Sequence, residues 1–157
     1  MGGWIYWPVQ LKPTIMKALK IITHPYTLII SFLLVIISGE HLGGFYALYL
    51  LLALYYGGVH SLLGLSGIIL LAVARTKGAK NKTSFLPGLL NIGGAVLIVF
   101  SLVWFFYADK EGYNYGTFYQ FIPRLSLILF GLIALLFIGR NLFQILKGKS
   151  INTKMSF

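Results

Sequence analysis

A chain of 157 residues that is 58% hydrophobic, 16% aromatic and only 10% charged lies outside the range of a soluble globular domain. It has no cysteine, which excludes disulfides, thiolate metal sites, iron–sulfur clusters and a cysteine nucleophile within the chain. The formal net charge of +10 would suggest nucleic acid in a soluble protein, but the basic residues crowd the ends of apolar runs. Membrane topology accounts for them, and no nucleic-acid partner is expected.

Apolar runs such as residues 68–74 and 125–138 do not alternate in polarity, as the strands of a transmembrane barrel must, so the spans are read as helices. The first ten residues carry Trp4, Tyr6 and Trp7 without a charged start or a small-residue cleavage site, so no cleaved signal peptide is expected. Over residues 11–23, Leu11, Ile15, Leu19 and Ile22 share one side of a helical wheel and Lys17 and Lys20 the other, with Pro13 near the start. This predicts an amphipathic helix lying in the membrane interface. The competing reading is a tail that frays in water.

A first span is expected over 21–38, with Pro25 near one end, and 39–44 is then a tight turn. The second apolar stretch, 45–74, has about 30 residues, or roughly 45 Å of helix, against a hydrocarbon core of about 30 Å. It must tilt, kink or protrude, and Gly57–Gly58 is the obvious bend. A third span is expected over 85–107, with Pro87 in its first turn, and a fourth over 118–146, bracketed by Arg124 and Arg140. The expected fold is therefore an all-α, single-domain, four-transmembrane-helix bundle with an N-terminal interfacial helix.

Four spans place every lysine and arginine except Lys110 and Arg124 on one side, and all three acids, Glu40, Asp109 and Glu111, on the other. By the positive-inside rule both termini are cytoplasmic, and a bacterial inner membrane is the expected location. Aromatic residues including Phe45, Tyr49, Trp104, Tyr107, Tyr115, Tyr119 and Phe121 cluster near the opposite ends of the spans, as a belt at the interface or as a docking surface.

In the second span Ala53, Gly57, His60, Ser61, Gly64 and Gly67 fall within an arc of about 120° at 100° per residue. In the third span Gly88, Asn91, Gly94, Ala95 and Ser101 make a similar face. Small residues let helix backbones approach in lipid, so the two faces are expected to meet, with His60 and Asn91 toward one interior. His60 is the ionisable residue placed deepest in an apolar run, and three roles compete for it. These are a neutral imidazole hydrogen-bonded to Ser61, Asn91 or a tyrosine, a proton-relay or quinone-contacting group, and an axial ligand to haem b. Haem requires a second histidine at similar depth, and His24 and His41 lie near opposite ends of the first span, so a partner subunit would have to supply it.

Glu40 and His41 with Asp109 and Glu111 have the chemistry of a cation site, but a solvated loop explains them more simply, and a pairing of the acids with Arg124 is the modest alternative. Lys12, Lys17, Lys20, Arg75, Lys77, Lys80 and Lys82 are candidates for contact with an anionic lipid surface, against a topology signal alone. No paired carboxylates lie within the spans and no phosphate-binding glycine loop appears, so nothing points to an enzyme. The expected function is a non-catalytic subunit whose partners are the bilayer and other membrane proteins. A redox or proton-handling protein centred on His60 is the alternative, and a small oligomeric channel finds least support.

Overall fold

The computed structural model describes residues 13–40, 43–80 and 85–154; Lys12, His41 and Lys82 lie outside them. Among the described residues the order is α1 (Pro13–Ile22), α2 (Pro25–Leu33), β1 (Ile36–Ser38), β2 (Gly43–Phe45), α3 (Tyr46–Tyr55), α4 (Val59–Lys80), α5 (Phe85–Ala108), α6 (Gly116–Tyr119) and α7 (Phe121–Lys154). Three segments, Val59–Lys77, Leu86–Ala108 and Phe121–Lys147, are long and apolar enough to cross a membrane, reaching about 28 to 40 Å at 1.5 Å per residue. α3 is a shorter apolar helix. The chain is thus a mostly helical membrane protein, with one small two-stranded ribbon among the described residues.

Two of the expected helices are interrupted. α2 starts where Pro25 can occupy the first turn and the His24 side chain accepts a hydrogen bond from the Tyr26 backbone N–H at 3.3 Å. It stops at Leu33, and the β-branched run Val35–Ile36–Ile37 continues as extended chain, the conformation such side chains favour. β1 then pairs antiparallel with β2, Ile37 opposite Gly44. The α2–β1 unit runs alongside α7 in the opposite direction: Arg140 donates to Thr23 Oγ1, the Phe32 and Phe130 rings lie 5.8 Å apart, and the Ile36 N–H donates to Ser126 Oγ at 2.9 Å. Between Ser126 and Arg140 the α7 axis rises about 21 Å at 1.5 Å per residue, and the mixed helix and strand keeps pace with it.

The stretch 45–74, read from the sequence as one bent helix, is two helices, α3 and α4. Gly57 has φ +69°, a left-handed conformation that glycine adopts without the Cβ penalty, and the chain reverses there. The Gly58 N–H closes the turn on the Ala53 carbonyl at 2.7 Å, and Ser61 Oγ donates to the Leu50 carbonyl at 2.9 Å. α3 therefore folds back on the first turns of α4.

α4 and α5 approach most closely at two glycines that face each other. A Cβ built on Gly67 would lie 2.8 Å from the Gly94 carbonyl oxygen, and one on Gly94 would lie 2.9 Å from the Gly67 carbonyl oxygen. The core cluster gathers Phe32, Tyr46, Leu71, Ile98, Phe130 and Phe137 from α2, α3, α4, α5 and α7. Outward residues are apolar as well, Leu135 being 70% exposed, which suits a hydrocarbon surround.

Candidate functional site

Both ends of the bundle carry chemistry, and they differ in charge. At one end Lys17, Lys20, Arg75, Lys77 and Lys147 are exposed and Arg140 is half-buried. Here α1, α2, α4, α5 and α7 enclose a cavity of about 360 Å³. Lys20, Arg75 and Arg140 bring three cations to its wall; Thr23, His24, Asn91, Asn141 and Gln144 bring neutral polar groups; among the described residues no carboxylate lines it. Ala74 and Phe137 border the cavity and are themselves buried.

The wall is built from local features. Thr23 lies at the junction of α1 and α2, where its hydroxyl donates to the Leu19 carbonyl at 2.6 Å and accepts from Arg140. That contact ties α7 to the α1–α2 corner and fixes the guanidinium at the cavity. Asn141, one residue on, donates from Nδ2 to the Phe137 carbonyl at 2.8 Å, which turns its Oδ1 toward α5 to accept from Asn91 Nδ2 at 3.0 Å. Asn91 Oδ1 is buried and receives no hydrogen bond from the described residues.

His60 and Asn91 do not share one interior, contrary to the expectation from the helical wheel. His60 stands in the first turn of α4, against the other half of α5, with its ring 5.2 Å from Phe105 and 6.3 Å from Tyr46. Its ring is hydrogen-bonded to the Tyr49 backbone, and Nε2 is buried without a partner among the described residues. Around it Ser101 Oγ donates to the His60 carbonyl at 2.6 Å and lies 3.0 Å from the Tyr46 hydroxyl. Among the described residues no group of three histidine, aspartate or glutamate side chains is arranged to hold a metal ion.

No known protein family, curated protein or solved structure matches this chain. The remaining candidates are placed by their own contacts. Gly64 meets Ser101, Leu50 and Phe32, and Gly67 and Gly94 meet each other, so these three stand at the close approach of α4 to α5, while Ala95 is buried. Gly57 and Ala53 serve the turn instead, and Gly88 faces Ile145 of α7. Among the described residues no ion pair joins Arg124 to Glu40, Asp109 or Glu111, and Arg124 is exposed. Asp109 is engaged locally: its carboxylate accepts from the backbone N–H groups of Tyr113 and Asn114 at 3.2 and 2.7 Å. Lys80 ends α4, while Lys12 and Lys82 lie outside the described residues.

The acids instead surround Tyr113. A hydrogen bond to Glu111, with some burial and the negative charges of Glu40 and Asp109, raises the Tyr113 hydroxyl above its ordinary 10.0. Ionisation would set a phenolate beside carboxylates, so the folded loop is disfavoured relative to the unfolded chain as pH rises past that value. In an ultraviolet tyrosinate titration, Glu111→Gln is expected to move this transition to lower pH, and an unchanged curve would remove the hydrogen bond as its cause.

Thr23, His24, Arg140, Asn141 and Gln144 are not singled out as site residues by the sequence. The available signal was two asparagines inside apolar runs, Asn91 and Asn141, the second adjacent to an arginine. Polar groups in such runs require partners, and each other is the economical choice.

Proposed function

We propose that this chain is a non-catalytic subunit of a bacterial cytoplasmic membrane that crosses the bilayer four times, keeps both termini in the cytoplasm, and holds an anionic lipid at its basic end. The observation that carries the reading is the cavity whose wall, among the described residues, has three cations and no carboxylate. Unpaired cations in such a wall attract an anion, and at the interface of a membrane the anion in excess is lipid phosphate.

The crossings are supported by three apolar helices of spanning length and by the α2–β1 unit running beside α7 from Thr23 to Ile36. α4 makes the second crossing in this reading, with α3 folded back against its first turns. The positive-inside rule orients the basic end toward the cytoplasm. Because the natural chain has no cysteine, single cysteines report topology directly. Lys77→Cys is expected to resist an impermeant thiol reagent in intact cells, while Tyr115→Cys is labelled; the reverse pattern would discard the orientation.

Native mass measurement after mild detergent extraction tests the lipid reading. The wild-type chain is expected to retain anionic lipid, and the triple variant Lys20→Gln, Arg75→Gln, Arg140→Gln to lose at least tenfold of it, since each charge-assisted contact contributes about 1.5–3 kcal/mol. Equal retention by both would overturn the assignment. The same spectrum tests the subunit role, because a chain that stays monomeric under every mild condition has no assembly to join.

A second reading rests on the unpartnered Nε2 of His60. A histidine whose other ring nitrogen is held by a backbone group has the arrangement of a metal or haem ligand, with the lone pair free. An absorbance spectrum of the purified protein decides it: a Soret band that His60→Ala abolishes would establish haem, and its absence at full occupancy of folded protein would exclude it.

A further inference from the structure

We infer that α1 is a membrane-surface helix, lying along an anionic leaflet with Ile15, Ala18 and Leu19 against the acyl chains and Lys17 among the phosphates. The partner is the lipid surface in bulk, so nothing in this depends on what the basic cavity holds.

The helical period divides α1 into two sides. At 100° per residue Ile15, Ala18, Leu19 and Ile22 fall within an arc of about 100°, and Lys17 and Lys20 stand opposite, with Met16 and Ile21 at the flanks. Among the described residues nothing packs over the apolar side: residues 14–21 are all exposed, Ile15 by 49% and Leu19 by 38%, and burial begins only at Ile22 and Thr23. A helix of ten residues without packing is marginal in water. Its apolar side therefore needs a surface from outside the chain.

The level at which α1 meets the bundle makes that surface lipid. Its last turn is held in place: Thr23 donates to the Leu19 carbonyl, Thr27 Oγ1 donates to the Ile21 carbonyl at 2.7 Å, and Arg140 donates to Thr23 Oγ1. These contacts fix the corner between α1 and α2 beside Arg140 of α7. Arg140 lies seven residues inside the end of the apolar segment Phe121–Lys147, or about 10 Å at 1.5 Å per residue, so the corner stands within the membrane rather than beyond it. Tyr26 and Ile30, both exposed, continue the apolar surface from α1 onto α2.

Charge selects the kind of lipid and weighs against a second copy of the chain. The exposed charges described at this end, Lys17, Lys20, Arg75, Lys77 and Lys147, are all positive, and the three acids of the chain lie at the other. A second copy seated on α1 would bring lysine to lysine, whereas lipid phosphate is attracted by each of them.

Spin labels on the full-length protein test this. Ile15→Cys, Lys17→Cys and Leu19→Cys are labelled one at a time; all three positions are exposed, so the labels displace no packing. Each protein is placed in vesicles of equal parts phosphatidylglycerol and phosphatidylcholine. Collision of the label with oxygen, which concentrates among acyl chains, is compared with collision with a water-soluble nickel chelate. The labels at Ile15 and Leu19 are expected to favour oxygen and the label at Lys17 to favour nickel. In vesicles of phosphatidylcholine alone the oxygen preference at Ile15 and Leu19 is expected to fall at least about fivefold, the contribution of one lysine near an anionic surface. Preference for nickel at all three positions overturns docking and leaves α1 in water. Protection of Ile15 and Leu19 from both reagents overturns lipid as the partner and assigns the face to protein. Equal contrast in the two kinds of vesicle overturns the choice of an anionic leaflet.

Discussion

Gly67→Ala is expected to destabilise the protein by about 1–3 kcal/mol in a mild-detergent unfolding titration, although alanine is the better helix former by about 1 kcal/mol. The sign is set by the approach of α4 to α5. The new methyl would lie 2.7 Å from Ile98 Cγ1, 2.8 Å from the Gly94 carbonyl oxygen and 3.0 Å from the Ile98 backbone nitrogen. Two of those atoms are backbone, which yields only if the helices separate. Separation in turn loosens Leu71, whose Cγ lies 2.8 Å from where a Cβ on Gly94 would be. The control lies within the same molecule. Among the described residues Gly131 and Gly139 on α7 have nothing within 4 Å of a built Cβ, so alanine there gains helix propensity without a clash. Both are expected to hold or raise stability. Were Gly67→Ala to behave like Gly131→Ala, close glycine contact would not be what joins α4 to α5.

The close face between α4 and α5 was legible because it depends on a local property, side-chain size repeated at helical spacing. Gly64, Gly67 and Gly94 stand at that contact. The break at Gly57–Gly58 was legible in place but not in degree, since two adjacent glycines permit a kink as readily as a reversal. What decides is the packing of Ser61 and Gly64 against Leu50, a contact across the turn that composition does not encode. The cavity was less legible still. Its wall joins Lys20, Arg75, Asn91 and Arg140 from four helices, and only the topology brings them to one end. The partnership of Asn91 with Asn141 spans 50 residues and leaves no trace in either neighbourhood. His60 was misplaced for a related reason: the wheel gives its direction about the axis, whereas its depth follows from where α4 begins.

The ribbon formed by β1 and β2 is where the sequence misled most, and it is also where a second large effect is expected. Residues 34–38 continue an apolar run, and by pattern alone they extend the helix. As a strand, β1 must find partners for backbone groups that a helix would satisfy internally. In an antiparallel pair alternate residues point their N–H groups toward the neighbouring strand, and the rest point away. On the far edge Ile36 and Ser38 donate to side chains of the helical layer, the first to Ser126 Oγ and the second to Thr117 Oγ1, each at 2.9 Å. Thr117 is fully buried, and no water replaces its hydroxyl. Thr117→Val keeps the shape and removes the acceptor, so the Ser38 N–H loses its partner at a cost of about 1–3 kcal/mol. Ser126→Ala does the same to Ile36, and the two losses are expected to be nearly additive because each orphan N–H is separate. The double variant should also speed amide hydrogen exchange at Ile36 and Ser38 before that of the Gly67 and Leu71 amides in α4, since the edge opens without parting α4 from α5. Uniform acceleration across the whole chain would mean that the ribbon and the bundle unfold as one unit, and that the hydroxyls support the fold as a whole rather than this edge.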